Sequence, residues 1–180
     1  MAALARILNA LALLGVCGVM LYAFYWQIVR GELPCPLCLL QRAALLAAGL
    51  GFLLNVRFGS SESHYGIVIV SSVAGAAFAI RQILLHIVPG TGAYGSAVLG
   101  YHFYTWALVG FVALIAFAGV MLFIEAQFVE GVQDIRPSAS AQALGWLFVL
   151  IVLANAVSTL LECGFGPCPD NPTGYELLAK

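Results

Sequence analysis

Five long apolar runs, parted by short polar breaks, set the plan of this chain. Residues 7–29 are apolar almost throughout, Asn9 and Gln27 excepted, and such a run crosses about 30 Å of hydrocarbon. A secretory leader has an apolar core of only about 7–15 residues, so an uncleaved first membrane helix is predicted. Tyr22, Tyr25 and Trp26 near its far end match the aromatic enrichment of a membrane interface. After the link Arg30-Gly31-Glu32-Leu33-Pro34, a second helix is predicted over 36–54. Asn55 to Tyr65, with Arg57, Glu62 and His64, reads as a loop. A third helix is predicted over 66–88, ending at Pro89. Its Ser71, Gly75 and Ala79 recur every fourth position, the spacing that lets membrane helices approach closely. The Gly- and Ser-rich stretch 90–100 precedes a fourth helix over 101–124, opened by Tyr101, Tyr104 and Trp106. Polar residues from Glu125 to Ser140, with Pro137, lead to a fifth helix over 141–161 and a tail over 162–180. Residues 1–180 read as a single transmembrane domain.

An odd number of spans puts the link after helix one and the tail after helix five on the same side. Arg6, Arg57 and Arg136 fall on the amino-terminal side, Arg30 and Lys180 on the other. This excess favours a cytoplasmic amino terminus, with the tail on the opposite, oxidising side.

Composition agrees with the pattern. Only 8% of residues are charged and 63% are hydrophobic, against about 25% charged in ordinary soluble domains. A water-soluble fold is excluded, and an all-α integral membrane protein is expected in a lipid bilayer. The net charge of −1 and the lack of any basic run give no signal for nucleic acid.

Five cysteines fit two functional pairs and one spare. Cys35 and Cys38 stand in Pro34-Cys35-Pro36-Leu37-Cys38, a spacing used for reversible dithiol chemistry or for half of a metal site. Pro36 suits the first helical position, and the positive helix end favours a thiolate there. Arg42 lies one turn beyond Cys38 on the same face. A cation at that depth is costly, so a neighbour should need its charge. Gln41 offers a neutral donor beside it. Cys163 and Cys168 bracket Gly-Phe-Gly-Pro, a loop able to close a disulfide. The prolines on both sides of Cys168 suggest an exposed, irregular segment open to thiol exchange. Arg81, Gln82 and His86 sit at the outer end of the third helix, level with Cys38. Cys17 reads as a small buried packing residue, His64 as a loop residue, and Asn155 as an interhelical hydrogen-bonding residue.

The tryptophan-bearing end of helix one, Pro34-Cys35-Pro36-Leu37-Cys38, Gln41-Arg42, and Arg81-Gln82 before Pro89 together resemble the disulfide-bond-formation protein B (DsbB) family, over roughly residues 1–124. The resemblance implies a four-helix transmembrane bundle of that type, here with a fifth transmembrane helix added. It implies an enzyme of the bacterial inner (cytoplasmic) membrane, a quinone-dependent thiol oxidase supporting protein disulfide formation. Such an enzyme reoxidises a periplasmic thioredoxin-like, DsbA-type dithiol protein and passes electrons to ubiquinone or menaquinone. By resemblance Cys35 and Cys38 are the quinone-facing pair, Cys38 is the thiolate at the ring, and Arg42 supports it. Gln41, Arg81, Gln82 and His86 then border the quinone, and no metal is implied. The family's partner-facing pair lies between helices three and four, where residues 90–100 have no cysteine. Cys163 and Cys168 are expected to take its place. Other readings are a vitamin-K-epoxide-reductase-like oxidoreductase, whose cysteine pairs come in the reverse order, a non-enzymatic membrane protein binding metal through four thiolates, and a structural protein with two static disulfides.

Overall fold

The structure, a computed structural model, describes residues 2–88, 90–124, 128 and 138–178. Expectations resting on Pro89, Arg136, Pro137, Lys180 and most of the polar stretch after residue 124 lie outside them. The elements in chain order are α1 (Ala2–Val29), α2 (Pro36–Phe58), α3 (Glu62–Leu85), β1 (Ala97–Val98), β2 (Tyr101–His102), α4 (Phe103–Leu122) and α5 (Ala139–Cys163). All five helices are long and apolar enough to cross a membrane. The chain is an all-α membrane protein apart from the small β1–β2 hairpin.

Helix α2 packs against α1 and α3, α3 against α4, and α5 lies on α1 and α2. Leu13, Cys17, Met20, Phe52, Val68 and Met121 form the centre of the bundle. Cys17 is fully buried and free, a packing residue as expected. Large apolar side chains such as Val70 and Trp146 point outward, as suits a surface bathed in hydrocarbon. In lipid, helices gain little from hiding apolar surface and depend on close packing. The predicted small-residue stripe supplies it: Gly75 lies under the Phe111 ring of α4, and a Cβ there would collide with it. Of the stripe, Gly75 and Ala79 are buried and Ser71 is half-buried, while its neighbour Ser72 is buried.

Several helix ends differ from the sequence-based boundaries, for identifiable reasons. Asn55 reads as a loop residue, but it turns inward and donates to Asn9 Oδ1 at 2.9 Å, so α2 continues to Phe58. Asn9 in turn donates to the Tyr65 hydroxyl at 2.7 Å. His64 belongs to the first turn of α3, 3.0 Å from Asn55 Oδ1. These residues tie α1, α2 and α3 together at the end away from Cys35. Helix α3 stops at Leu85, where His86 caps it and stacks on Tyr104. Tyr101 and His102 are drawn into the hairpin, so α4 starts at Phe103. The hairpin turns through Leu99, whose φ of 53° lies in the left-handed region. That conformation costs an L-residue about 1–2 kcal/mol.

Helix α5 runs to Cys163 because Glu162 faces the protein interior and not solvent. Gly164, at φ 62°, ends it with a conformation that lacks a Cβ penalty. The tail then folds back: Glu176 N–H donates to Glu162 O and Leu177 N–H to Leu161 O.

Candidate active site

Pro36 occupies the first turn of α2 and Cys35 caps it, its Sγ accepting from Cys38 N–H at 3.2 Å. Cys35 and Cys38 are joined as a disulfide, with Cα atoms 5.0 Å apart. Cys35 is buried and Cys38 half-buried. Across the interface, Gln82 of α3 is 1% exposed and points its amide at both sulfurs: Nε2 lies 3.2 Å from Cys35 Sγ and 3.5 Å from Cys38 Sγ. Gln82 is held by Gln41, which donates to its Oε1 at 2.7 Å. The Gln41 amide thus places an N–H on Gln82. An amide N–H aimed at sulfur favours the thiolate over the thiol.

Arg42 does not spend its hydrogen bonds on the sulfurs. It donates to Gln27 Oε1 at 2.6 Å and to the Ala23 carbonyl at 3.3 Å, and it lies against the Phe24 ring. Gln27 in turn donates to Ser158 Oγ of α5 at 2.7 Å and to the Tyr175 hydroxyl of the tail at 3.2 Å. Glu162, 1% exposed, interacts electrostatically with Arg42. The partners demanded by a membrane cation are therefore the Gln27 amide oxygen and the Ala23 carbonyl of α1, with the buried Glu162 carboxylate of α5 adding a longer-range attraction. The sequence reading missed Gln27, Ser158, Glu162 and Tyr175 because they lie far apart along the chain. One signal was available: Asn155, Ser158 and Glu162 recur at helical spacing in an otherwise apolar run. The expected interhelical bond of Asn155 is corrected for its oxygen, since Oδ1 is buried without a partner.

The second pair, Cys163–Cys168, is also a disulfide, with Cα atoms 4.4 Å apart. Cys163 is not in an exposed irregular tail, as expected, but is buried as the last residue of α5. Cys168 is half-buried, and the loop between them carries Phe165 at 92% exposure. The segment before β1 is strapped to the link before Cys35. Glu32 accepts from the Ser96 N–H at 3.1 Å and from the Ser96 hydroxyl, while Tyr94 donates to the Leu33 carbonyl at 2.6 Å. Burial, and then the carboxylates of Glu162 and Glu32, push the Tyr94 phenol above its usual range, so it remains a donor.

Of the other candidates, Arg81 is exposed on α3. His86 stacks on Tyr104 at 5.7 Å, and His102 on that same ring at 5.4 Å. Tyr22, Tyr25 and Trp26 cluster as expected, joined by Phe103. His86 Nδ1 and Trp26 Nε1 are buried without partners.

A disulfide capping a buried helix, held by amides from the next helix inside a membrane bundle, defines a membrane thiol–disulfide protein. The family described as Disulfide bond formation protein DsbB matches residues 5–93, the part of the chain that holds α2, α3, most of α1, and Cys35 and Cys38. A Disulfide bond formation protein B from Nitrosomonas eutropha is 39% identical over 84 residues, 44% of this chain and 52% of the relative. The one from Hahella chejuensis is 38% identical over 88 residues, 47% and 53% respectively. That from Marinobacter nauticus is 40% identical over 88 residues, 47% and 52%. The chain thus aligns with about half the length of these curated relatives, and α5 and the tail lie beyond the family match. No solved structure matches the chain.

Proposed function

We propose that this chain is a quinone-dependent protein-disulfide oxidoreductase of the bacterial inner membrane. It reoxidises a periplasmic thioredoxin-like, DsbA-type dithiol protein through two cysteine pairs within one membrane domain. The observation that carries this reading is the Tyr175–Gln27–Arg42 chain of hydrogen bonds, which ties the Cys163–Cys168 tail to the turn of α2 that follows Cys38. A partner thiolate attacks Cys163 or Cys168: a partner–tail disulfide forms, the Cys163–Cys168 bond breaks, and one tail sulfur leaves as thiolate. The second partner thiol resolves that mixed disulfide, leaving the partner oxidised and the tail as a dithiol. A tail thiolate then attacks Cys35–Cys38, re-forming Cys163–Cys168 and leaving Cys35 and Cys38 reduced.

A bound quinone supplies a two-electron acceptor for that reduced pair. The residues present fit such a ligand: His86 Nδ1, one turn beyond Gln82 at the end of α3, and Trp26 Nε1, next to Gln27 on α1, are buried polar atoms without partners, and Gln82 already orients both sulfurs. Cys38, the more exposed sulfur, carries the reactive thiolate; Gln82 and Arg42 stabilise its charge in a medium of low polarity. Gln41 holds Gln82, and Arg81 and His86 border the ligand. Whether the acceptor is ubiquinone or menaquinone follows from the organism's own pool. The amino terminus is cytoplasmic and the tail periplasmic. A four-thiolate metal site is disfavoured because the sulfurs are joined in two separate pairs, and among the described residues no three potential ligands converge.

Purified chain mixed with a reduced thioredoxin-like protein and a soluble quinone tests this. One quinol is expected per partner disulfide formed. No quinol above the rate without protein overturns the reading.

A further inference from the structure

The Glu162 carboxylate is the least expected group in the bundle. It is 1% exposed, its Oε2 has no hydrogen-bond partner, and it immediately precedes Cys163. A lone buried anion in a membrane is expensive unless a cation or a functional role offsets it. The facing elements supply one cation: Arg42 from α2. Tyr94, from the segment before β1, lies within reach of both Glu162 and the Glu32 carboxylate, while Gln27 of α1 joins Arg42 to the Tyr175 hydroxyl of the tail. Arg42 sits one turn beyond Cys38, yet its guanidinium bonds to Gln27 and the Ala23 carbonyl of α1, and Gln27 in turn meets Ser158 of α5, one turn before Glu162.

We propose that Glu162 is a positioning residue: its carboxylate holds Arg42 toward α1 and α5, and so limits how strongly that cation stabilises the Cys38 thiolate. This rests on the dithiol–quinone reading above and names a residue outside the segment matched to the family. An arginine stays charged at every relevant pH, so its field on Cys38 depends on the anion competing for it. Glu162 sets that balance from the residue beside Cys163, which puts the charge state of the inner pair under the control of the element carrying the outer pair. Without the carboxylate, Arg42 is free to serve the thiolate alone, and the direct repulsion between two anions also disappears. Both changes lower the pH at which Cys38 ionises.

The test is the pH dependence of Cys38 alkylation in the reduced full-length chain, read by mass spectrometry in detergent without quinone or partner protein. Glu162→Gln is expected to move the midpoint down by about one pH unit, a roughly tenfold gain in alkylation rate below it. In the Arg42→Gln background the same change is expected to move it by less than half as much. Glu162→Asp, which keeps the charge but retracts it, is expected to fall between the wild type and Glu162→Gln, and it carries the test should the glutamine variant not fold. A midpoint unchanged in the folded variants, or a shift equally large without Arg42, overturns the proposal. Because the readout needs no quinone, a wild-type chain that reduces no quinone, beside a Glu162→Gln chain that shows the shift, refutes the oxidase reading and leaves this one standing.

Discussion

The two disulfides are built differently. Cys35–Cys38 opens a helix, with one sulfur capping that helix and the Gln82 amide against both. Cys163–Cys168 closes a helix, with one buried sulfur and a loop that presents Phe165 outward. The first is fixed on two packed helices, which favours precise chemistry at sulfur. The second joins a rigid end to a loop able to meet a macromolecule. Only the first lies in the segment shared with the DsbB family. A relay needs both kinds: access without exposing the inner pair, and fixed geometry without docking a partner into the membrane.

Changes to the inner pair should cut deepest. Cys38→Ser is expected to abolish quinol formation with every reductant, measured as loss of quinone absorbance. Retained turnover would take Cys38 out of the chemistry. Arg42→His comes next. It is expected to raise the apparent KM for quinone about tenfold, close to 1.4 kcal/mol, while the KM for the protein dithiol changes less. The reverse split would assign Arg42 to the tail pair through Gln27. The smallest effect belongs to the far end of the bundle. Asn9→Leu breaks the bonds to Asn55 and Tyr65, which are worth about 0.6 to 1.7 kcal/mol each in membrane bundles. Thermal unfolding is expected at lower temperature with quinol formation unchanged, and a loss of activity in the folded variant would link that end to the chemistry.

The five helices could be read in the sequence because each is a long apolar run, and the inner pair because its spacing and Arg42 are local. Polar side chains turned inward misled the boundary reading. Asn55 and Glu162 resemble helix ends in one dimension, yet both are buried contacts of helices that continue. The partners of Arg42 stayed hidden for a related reason: Gln27, Ser158 and Tyr175 meet only through the packing of α1, α5 and the tail. The β1–β2 hairpin had only a weak signal, Gly100, since the other turn residue at positive φ is Leu99, where asparagine or glycine is the usual choice.

The division of labour between the pairs is tested most directly by a chain carrying both Cys163→Ser and Cys168→Ser, assayed for quinol formation with two reductants. With a small dithiol, which reaches Cys38 unaided, quinol formation is expected to stay within about threefold of wild type. With a reduced thioredoxin-like protein it is expected to fall by at least about a hundredfold, or 2.7 kcal/mol in the barrier. Undiminished turnover with the protein dithiol would contradict a relay through the tail.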